Sequence, residues 1–179
     1  MSSRLRVTAG DLRGRVLRTT VPRGVRPTSA RVREALFNLL GSIEGLSFLD
    51  AAGGSGIVAL EAYSRGAGPV VILERDGKSL ATIRKNLTDL SLSGAVRVVR
   101  TDAKRWRAQP DRFDWVFVDP PYAAELDPWL RALCPLALSG LVLEHRVGAE
   151  FEIPEGYRRD DSRQYGDTAL TFISAAGEG

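Results

Sequence analysis

The sequence predicts an α/β protein whose core is a doubly wound, mainly parallel sheet. Two observations lead to this fold class: apolar runs typical of buried strands alternate with amphipathic helical patterns, and acidic residues stand at the ends of several of these runs. With 179 residues, 44% of them hydrophobic, the chain is long enough for one domain of this kind and too short for two of usual size. We therefore expect one domain over residues 1–179, with a basic arm (1–26) and an α/β core (27–179).

The first segment of the chain is strongly basic. Residues 1–33 contain nine arginines and one aspartate, whereas the remainder is acidic, so the net charge of +3 conceals an asymmetry. Alternating residues at 5–8 and 16–19, around glycines at 10 and 14, predict a hairpin. Arginine contacts phosphates and stacks on bases, so the arm indicates nucleic-acid binding, with a solvated charged segment as the alternative. The candidate RNA-binding residues are Arg4, Arg6, Arg13, Arg15, Arg18, Arg23 and Arg26.

A helix is predicted directly after the arm. Pro27, Thr28 and Ser29 are typical of a helix start, apolar residues follow with i, i+3, i+4 spacing, and Gly41 ends the pattern. Arg31 and Arg33 lie in its first turn, where the helix dipole disfavours a cation. This position suggests contact with a ligand, although an ordinary surface ion pair explains either arginine equally well.

A buried strand, a glycine-rich loop and a second helix come next. The strand over residues 47–50 ends in Asp50 and runs into a loop that extends to Gly56. Such a loop lets the backbone approach a ligand closely, and Asp50 can accept a hydrogen bond from that ligand. A further strand over residues 70–73 ends in Glu74, twenty residues after Gly54, where a carboxylate commonly holds ribose hydroxyls.

Two cofactor classes are compatible with this loop. Residues 54–59 also satisfy the G-x-G-x-x-A dinucleotide fingerprint, so a nicotinamide enzyme must be considered. Asp50 would then lie close to a pyrophosphate, where like charges repel each other. S-adenosylmethionine carries no phosphate, and its ammonium group is attracted to an acid. The site chemistry, rather than the fold, therefore favours S-adenosylmethionine.

The strand over residues 115–118 runs directly into Asp119, Pro120, Pro121 and Tyr122. This combination suits methylation of a planar amine, which is a poor nucleophile until its N–H bonds are accepted and its nitrogen pyramidalises. Asp119 and the Pro120 carbonyl can accept those bonds, the two prolines preorganise the acceptors, and Tyr122 can stack on a base. The alternative is a structural Pro-Pro turn in which Tyr122 caps the core.

The rest of the chain continues the alternation of strands and helices. We expect helices over residues 80–90 and 126–138 and strands over residues 96–99, 141–144, 157–163 and 168–174. Ligands of doubly wound sheets lie beyond the carboxyl ends of the strands, which is where Asp50, Glu74, Asp102 and Asp119 all fall. Four acids at four successive strand ends are a stronger signal than any single motif.

The remaining polar residues do not indicate metal chemistry, and we expect no metal site. Cys134 stands in an apolar context typical of a core residue, and His145 follows an apolar strand, where a structural role is favoured over a site role. The sequence has no apolar stretch of roughly 20 residues and no apolar N-terminal segment. We therefore expect a cytoplasmic protein without a membrane partner.

Taken together, these motifs resemble the RsmD family of bacterial methyltransferases, which modify guanine N2 in small-subunit (16S) ribosomal RNA. The resemblance covers nearly the whole chain and is carried by residues 8–15, 26–38, 51–56, 119–122 and 165–168. It implies a Rossmann-like class I methyltransferase fold with seven strands and an antiparallel last strand, S-adenosylmethionine as methyl donor, and a monomer acting on ribosomal RNA, free or within a subunit. Ala30 replaces the family's usual aspartate, and Ala51-Ala52-Gly53 replaces a bulkier Leu-Phe-Ala.

The predicted mechanism is direct methyl transfer without a covalent intermediate. Its catalytic residues are Asp119, Pro120, Pro121 and Tyr122. Glu74 is expected to bind the ribose of S-adenosylmethionine, and Asp102 is expected to bind its adenine amine. Asp50 and the glycine loop are expected to bind the methionine end. The full predicted cofactor set is Thr28, Arg31, Asp50, Ala52, Gly53, Gly54, Ser55, Gly56, Glu74, Arg75, Asp102, Ala103 and Asp119.

Two other function classes stay open. One is an amino-methyltransferase that acts on DNA adenine N6 or on a protein glutamine, and the other is a non-catalytic RNA-binding assembly factor. The basic arm argues against a protein substrate. The presence of both the 119–122 motif and the glycine loop argues against a loss of activity.

Overall fold

The computed structural model describes residues 5–17, 28–107 and 112–177. In chain order its elements are β1 (Leu5–Arg6), β2 (Val16–Leu17), α1 (Ala30–Leu40), β3 (Phe48–Asp50), α2 (Ile57–Ser64), β4 (Val70–Glu74), α3 (Gly77–Asp89), β5 (Val96–Arg100), β6 (Phe113–Val118), α4 (Asp127–Leu133), β7 (Ala137–Arg146), β8 (Tyr157–Tyr165) and β9 (Thr168–Ala175). Two single-turn 3-10 helices cover Ala103–Arg105 and Cys134–Leu136.

A seven-stranded sheet with the spatial order β5-β4-β3-β6-β7-β9-β8 forms the centre of the molecule. The five strands from β5 to β7 are mutually parallel, and β9 is antiparallel to both of its neighbours. The prediction of a mainly parallel sheet with an antiparallel last strand is therefore confirmed. Because β3 lies centrally, between β4 and β6, the carboxyl ends of these strands meet at one edge of the sheet.

The hydrophobic core lies on both faces of the sheet. Phe48 and Phe117 pack in one apolar cluster with α1, α2 and α3, whereas Leu49 and Val116 pack in a second cluster with α4. Successive strand residues point to opposite faces, so these strands are buried on both sides and appear in the sequence as continuous apolar runs. In the described part of the chain, no helix has the length and apolar character needed to cross a membrane.

One predicted element is wrong. The sequence pattern predicts a single helix over residues 126–138, but α4 ends at Leu133, and a 3-10 turn containing Pro135 leads into β7 at Ala137. Proline lacks the backbone N–H and clashes with the preceding helical turn, so the α-helix cannot continue through Pro135. The last strands of the sheet agree with the prediction to within one or two residues.

The predicted N-terminal hairpin is present, with Leu5 opposite Leu17. The structure describes residues 5–17 of the basic arm; Arg4, Arg18, Arg23 and Arg26 lie outside the described residues. The arm packs on the end of α2, where Asp11 N–H donates to the Ser64 carbonyl at 2.8 Å and Leu12 N–H donates to Ser64 Oγ at 2.8 Å. Gly10, with φ +75°, lies so close that an added Cβ would be 1.7 Å from the Ser64 carbonyl oxygen.

A buried ionic cluster fixes the arm to the core. Glu61 on α2 is 0% exposed and accepts hydrogen bonds from the backbone N–H groups of Thr8 and Ala9. Its carboxylate also pairs with Arg65 at 3.1 Å and with Arg33 at 3.8 Å. Burying these charges is tolerable because they face opposite charges and backbone donors.

Candidate active site

A cavity of about 640 Å³ opens at the carboxyl edge of the parallel strands. The four predicted strand-end acids, Asp50, Glu74, Asp102 and Asp119, all line it. The structure therefore brings together groups that are separated by up to 69 positions in the sequence. Thr28, Ala52, Gly53, Gly54, Ser55, Arg75, Ala103, Pro120, Pro121 and Tyr122 also line this cavity.

The glycine loop is held against the end of β4. Gly53 N–H donates to the Leu73 carbonyl at 3.0 Å, and a Cβ on Gly53 would lie 2.3 Å from Cγ2 of Ile72, so the close approach requires glycine. Gly54 N–H donates to Glu74 Oε2 at 2.8 Å, and Asp76 N–H donates to Glu74 Oε1 at 2.8 Å. The Glu74 carboxylate is thus oriented by backbone donors before any ligand arrives.

Two acids of the cavity are electrostatically perturbed. Asp50 is only 1% exposed, and burial raises the pKa of its carboxyl to about 7. Burial, followed by the nearby carboxyls of Glu144 and Asp50, raises the pKa of Asp119 well above its ordinary value, and an interaction with the Thr28 side chain partly offsets this rise. Acids crowded in a buried site favour their neutral forms unless a cation compensates them.

The sequence prediction missed Glu144. This residue is buried next to Asp119, because β6 and β7 pair with Val118 opposite Leu143. Its Oε2 accepts a hydrogen bond from Thr28 Oγ1 at 3.0 Å. Glu144 stands at the end of the predicted strand 141–144, so the rule that selected the other four acids would also have selected it.

Aromatic side chains flank the cavity. Tyr122 is 50% exposed, and its hydroxyl lies 3.3 Å from Thr168 Oγ1. Trp129 on α4, which the sequence prediction did not single out, lines the wall, and Lys104 Nζ lies 5.6 Å from the centroid of its ring. Nearby, Asp102 accepts a hydrogen bond from Lys104 N–H at 3.0 Å. The cavity therefore combines apolar walls with a few fixed polar groups, as ligand sites usually do.

Some candidate residues lie elsewhere. Arg31 is exposed on α1 and is not among the residues that line the cavity, and Gly56 packs behind the loop against Ile83. The idea that Arg33 contacts a ligand is wrong, because this side chain is 1% exposed and is occupied by protein carbonyls. Arg6, Arg13 and Arg15 are exposed on the arm.

The single histidine and the single cysteine have structural environments. His145 Nε2 lies 2.8 Å from Thr171 Oγ1, and Nδ1 lies 2.9 Å from the Arg146 carbonyl. Cys134 is buried in the core, and burial raises the pKa of its thiol to about 12. Over residues 5–17, 28–107 and 112–177, no cluster of three or more potential ligands could hold a metal ion.

Comparisons with known proteins show the family to which this chain belongs. The family model described as Conserved hypothetical protein 95 matches residues 5–174. This chain belongs to that family. A similar protein, YlbH of Bacillus subtilis (strain 168), is 35% identical over 84% of this chain and 86% of that protein. Ribosomal RNA small subunit methyltransferase D of Escherichia coli (strain K12) is 41% identical over 68% of this chain and 62% of that protein.

A solved structure, yhhF of Escherichia coli, has a TM-score of 0.82 and 32% identity, over 98% of this chain and 100% of that one. These findings confirm the resemblance to the RsmD family. They also confirm that the sheet is a Rossmann-like class I methyltransferase fold.

Proposed function

We propose that this protein transfers a methyl group from S-adenosylmethionine to the exocyclic N2 amine of a guanine in small-subunit ribosomal RNA. The observation that carries the proposal is the position of Asp119, Pro120, Pro121 and Tyr122 at the cavity that also holds Asp50 and Glu74. The name of the Escherichia coli relative supports ribosomal RNA as the substrate class. Guanine N2 is the finer expectation from the RsmD resemblance.

The lining residues fit S-adenosylmethionine better than a dinucleotide. The donor's ammonium group is a suitable partner for the buried Asp50 carboxyl, and Glu74, already oriented by the loop, is placed to accept ribose hydroxyls. Asp102 and Ala103 are the candidates for the adenine. A pyrophosphate would instead enter a cavity with several carboxyls, which is unfavourable. When bound, the donor supplies a methyl group that its sulfonium has already activated.

The residues at the cavity mouth can prepare the acceptor. A base that leaves its stack can lie against the exposed ring of Tyr122, with its amine directed toward Asp119 and the Pro120 carbonyl. These acceptors stabilise the amine as its lone pair becomes available, and their positions are fixed by the two prolines. A cationic ligand in the cavity would lower the pKa of Asp119 and favour its ionised, accepting form.

The first prediction concerns the ligand. Isothermal titration calorimetry with S-adenosylhomocysteine and with NAD, on the same protein, should show binding of S-adenosylhomocysteine and none of NAD at matched concentrations. The physical reason is the repulsion between the cavity acids and a pyrophosphate. Tighter binding of NAD would overturn the methyltransferase proposal.

The second prediction concerns Asp119. Because its interaction with the amine strengthens mainly in the transition state, Asp119→Ala should lower turnover by about two orders of magnitude or more and change RNA binding little. Asp160→Ala, on the exposed edge strand β8, is the control and should keep full activity. Near-normal turnover of Asp119→Ala would place the chemistry elsewhere.

The product identifies the substrate among the open alternatives. Nucleoside analysis after incubation with a 16S ribosomal RNA fragment, a DNA duplex or ribosomal protein should show N2-methylguanine in the RNA alone. Methyladenine in the DNA or methylglutamine in the protein would favour another amino-methyltransferase. RNA binding without any methylated product would indicate a non-catalytic assembly factor.

Two further expectations from the sequence, a monomeric state and a cytoplasmic location, stay predictions.

A further inference from the structure

A chain of direct contacts runs from the arm to the carboxyl of Glu144, which is buried beside Asp119. Its centre is Arg33, whose guanidinium donates to two backbone carbonyls that belong to different segments. Nη2 donates to the Arg6 carbonyl in the arm at 2.7 Å, and Nη1 donates to the Thr28 carbonyl at the cavity at 2.7 Å. Because the guanidinium is planar and rigid, it fixes the two carbonyls relative to each other.

Thr28 continues this chain into the cavity. Its hydroxyl donates to Glu144 Oε2 at 3.0 Å. Glu144 lies on β7, beside Asp119 at the end of the paired strand β6. The charged and titratable groups that face Glu144 are therefore Asp119 after β6, Asp50 from β3 and Arg33 from α1. Both Thr28 and Glu144 are buried, so protein contacts rather than water determine their positions.

We propose that the arm is a positioning element of the methyl-transfer site: when docked, it sets the position of Thr28 through Arg33, and Thr28 in turn holds the Glu144 carboxylate beside Asp119. Thr28 and Arg33 are thus positioning residues, and the arm does more than bind RNA. The inference depends on the proposed function for what Asp119 does to a substrate, but the contacts that it uses are independent of that function.

A matched pair of glycine variants tests the arm without changing Arg33 or Thr28. Gly10 and Gly14 both have positive φ angles, +75° and +84°, so alanine strains the hairpin at either position. At Gly10 the added Cβ also meets the Ser64 carbonyl oxygen at 1.7 Å, whereas at Gly14 the nearest atom is 3.9 Å away. Gly10→Ala should displace the arm from the core, and Gly14→Ala should leave it docked.

The readout is the titration of the Glu144 carboxyl by NMR in the free protein, assigned with Glu144→Gln. Thr28→Val removes the hydrogen bond that stabilises the ionised Glu144 carboxylate, so we expect the pKa of Glu144 to rise by roughly half a unit to one unit. Gly10→Ala should raise it in the same direction, and Gly14→Ala should not. The double variant Gly10→Ala/Thr28→Val should show no larger shift than Thr28→Val, because the arm acts through Thr28.

Several outcomes of this titration would contradict the inference. A lower pKa of Glu144 in Gly10→Ala would mean that the arm only shields the cavity from water, and an unchanged or additive shift would mean that the arm does not act through Thr28; each result overturns the inference. If Gly10→Ala does not fold, Arg33→Lys takes its place, since lysine keeps the charge but cannot hold both carbonyls in a fixed fork.

Kinetics separate this inference from the proposed function. At saturating ribosomal RNA fragment, an arm that only binds RNA changes KM, whereas a positioning arm also lowers kcat in Gly10→Ala. If the wild-type protein methylates no RNA, the proposed function fails, yet the NMR titration still decides whether the arm positions Glu144. If the wild-type protein is active and kcat is unchanged in Gly10→Ala, only the inference fails.

Discussion

Asp50 shows how burial can turn one carboxyl into a pH-dependent ligand group. Its pKa is raised to about 7, first by burial and then by Glu74 and Glu144, so it becomes an anion only near neutral pH. Its attraction for an ammonium group is present above that pH and is lost as the pH falls through it. We predict that S-adenosylhomocysteine binds about five- to tenfold more weakly at pH 6 than at pH 7.5, as calorimetry can measure.

Asp50→Asn is the control for this pH dependence, because asparagine has a similar shape and does not titrate. The variant should bind more weakly at pH 7.5, and its affinity should hardly vary between the two pH values. The raised pKa also means that the folded state loses stability as the pH rises from about 4 to about 7, so melts of Asp50→Asn should show a smaller loss over this range. A full pH dependence of binding in Asp50→Asn would assign the titration to another acid.

At the scale of residues, the sequence predicts where the site residues lie better than it predicts what surrounds their side chains. Asp50 and Asp119 were found because strand ends are visible in the apolar pattern. Arg33 and Glu61 were not recognised as a buried pair, since charged residues are almost always exposed and only the tertiary structure brings these two side chains within 3.8 Å. Trp129 is missed because an apolar residue on a helix usually belongs to the core, and only the tertiary structure places it at the cavity wall, where α4 contacts the Ala103–Arg105 turn.

At the scale of elements, the arm is joined to α2 through Glu61 and Ser64, of which Glu61 carries the buried charge. Removing one partner from a buried charge cluster costs about 3 to 5 kcal/mol, because the remaining charges stay buried without compensation. We therefore predict that Glu61→Leu lowers the free energy of unfolding by about this amount. Denaturant unfolding measures the loss, and hydrogen exchange at the amides of Thr8 and Ala9 should accelerate because both donate to Glu61.

Glu125→Leu, on an exposed turn, is the control and should leave both quantities nearly unchanged. Stability equal to that of the wild type in Glu61→Leu would show that the apolar contacts of Val7 and Leu17 hold the arm without the ionic cluster.

Two helices have boundaries that differ from those that the sequence pattern predicts. The helix predicted over residues 80–90 begins earlier, at Gly77, because Asp76 accepts a hydrogen bond from Ser79 N–H and caps it. The helix predicted over residues 126–138 is instead a short helix followed by a strand. Its apolar residues fit a helical period, but those from Ala137 onward pair with β6. Hydrophobic periodicity alone cannot distinguish the buried end of a helix from the buried start of a strand. In this sequence Pro135 is the residue that indicates where the helix ends.

For the whole molecule, the main sequence feature is the separation of charge between a basic N-terminal segment and an acidic remainder. In the structure the cavity contains the buried acids, whereas Arg6, Arg13 and Arg15 lie exposed on the arm. The proposed cationic donor and the proposed RNA substrate would therefore each meet a region of opposite charge. This arrangement favours binding both at once, since neither ligand has to enter a region that repels it.

The last prediction tests the RNA-binding role of the arm. If Arg13 and Arg15 contact phosphates, the double variant Arg13→Ala/Arg15→Ala should weaken binding of a 16S ribosomal RNA fragment and reduce the salt slope by about 0.7 to 0.9 per lost contact. Cofactor affinity and melting temperature should stay the same, because both side chains are exposed and neither lines the candidate active-site cavity.

The matched control is Arg158→Ala/Arg163→Ala on the edge strand β8, which removes the same charge from arginines that already pair with Asp160 and Asp161 at 2.8 Å. A reduced slope in the arm variant alone localises phosphate contact to the arm. Equal reductions in both variants would mean that RNA responds only to net charge, and a lower melting temperature with an unchanged slope would mean that these arginines support the hairpin instead.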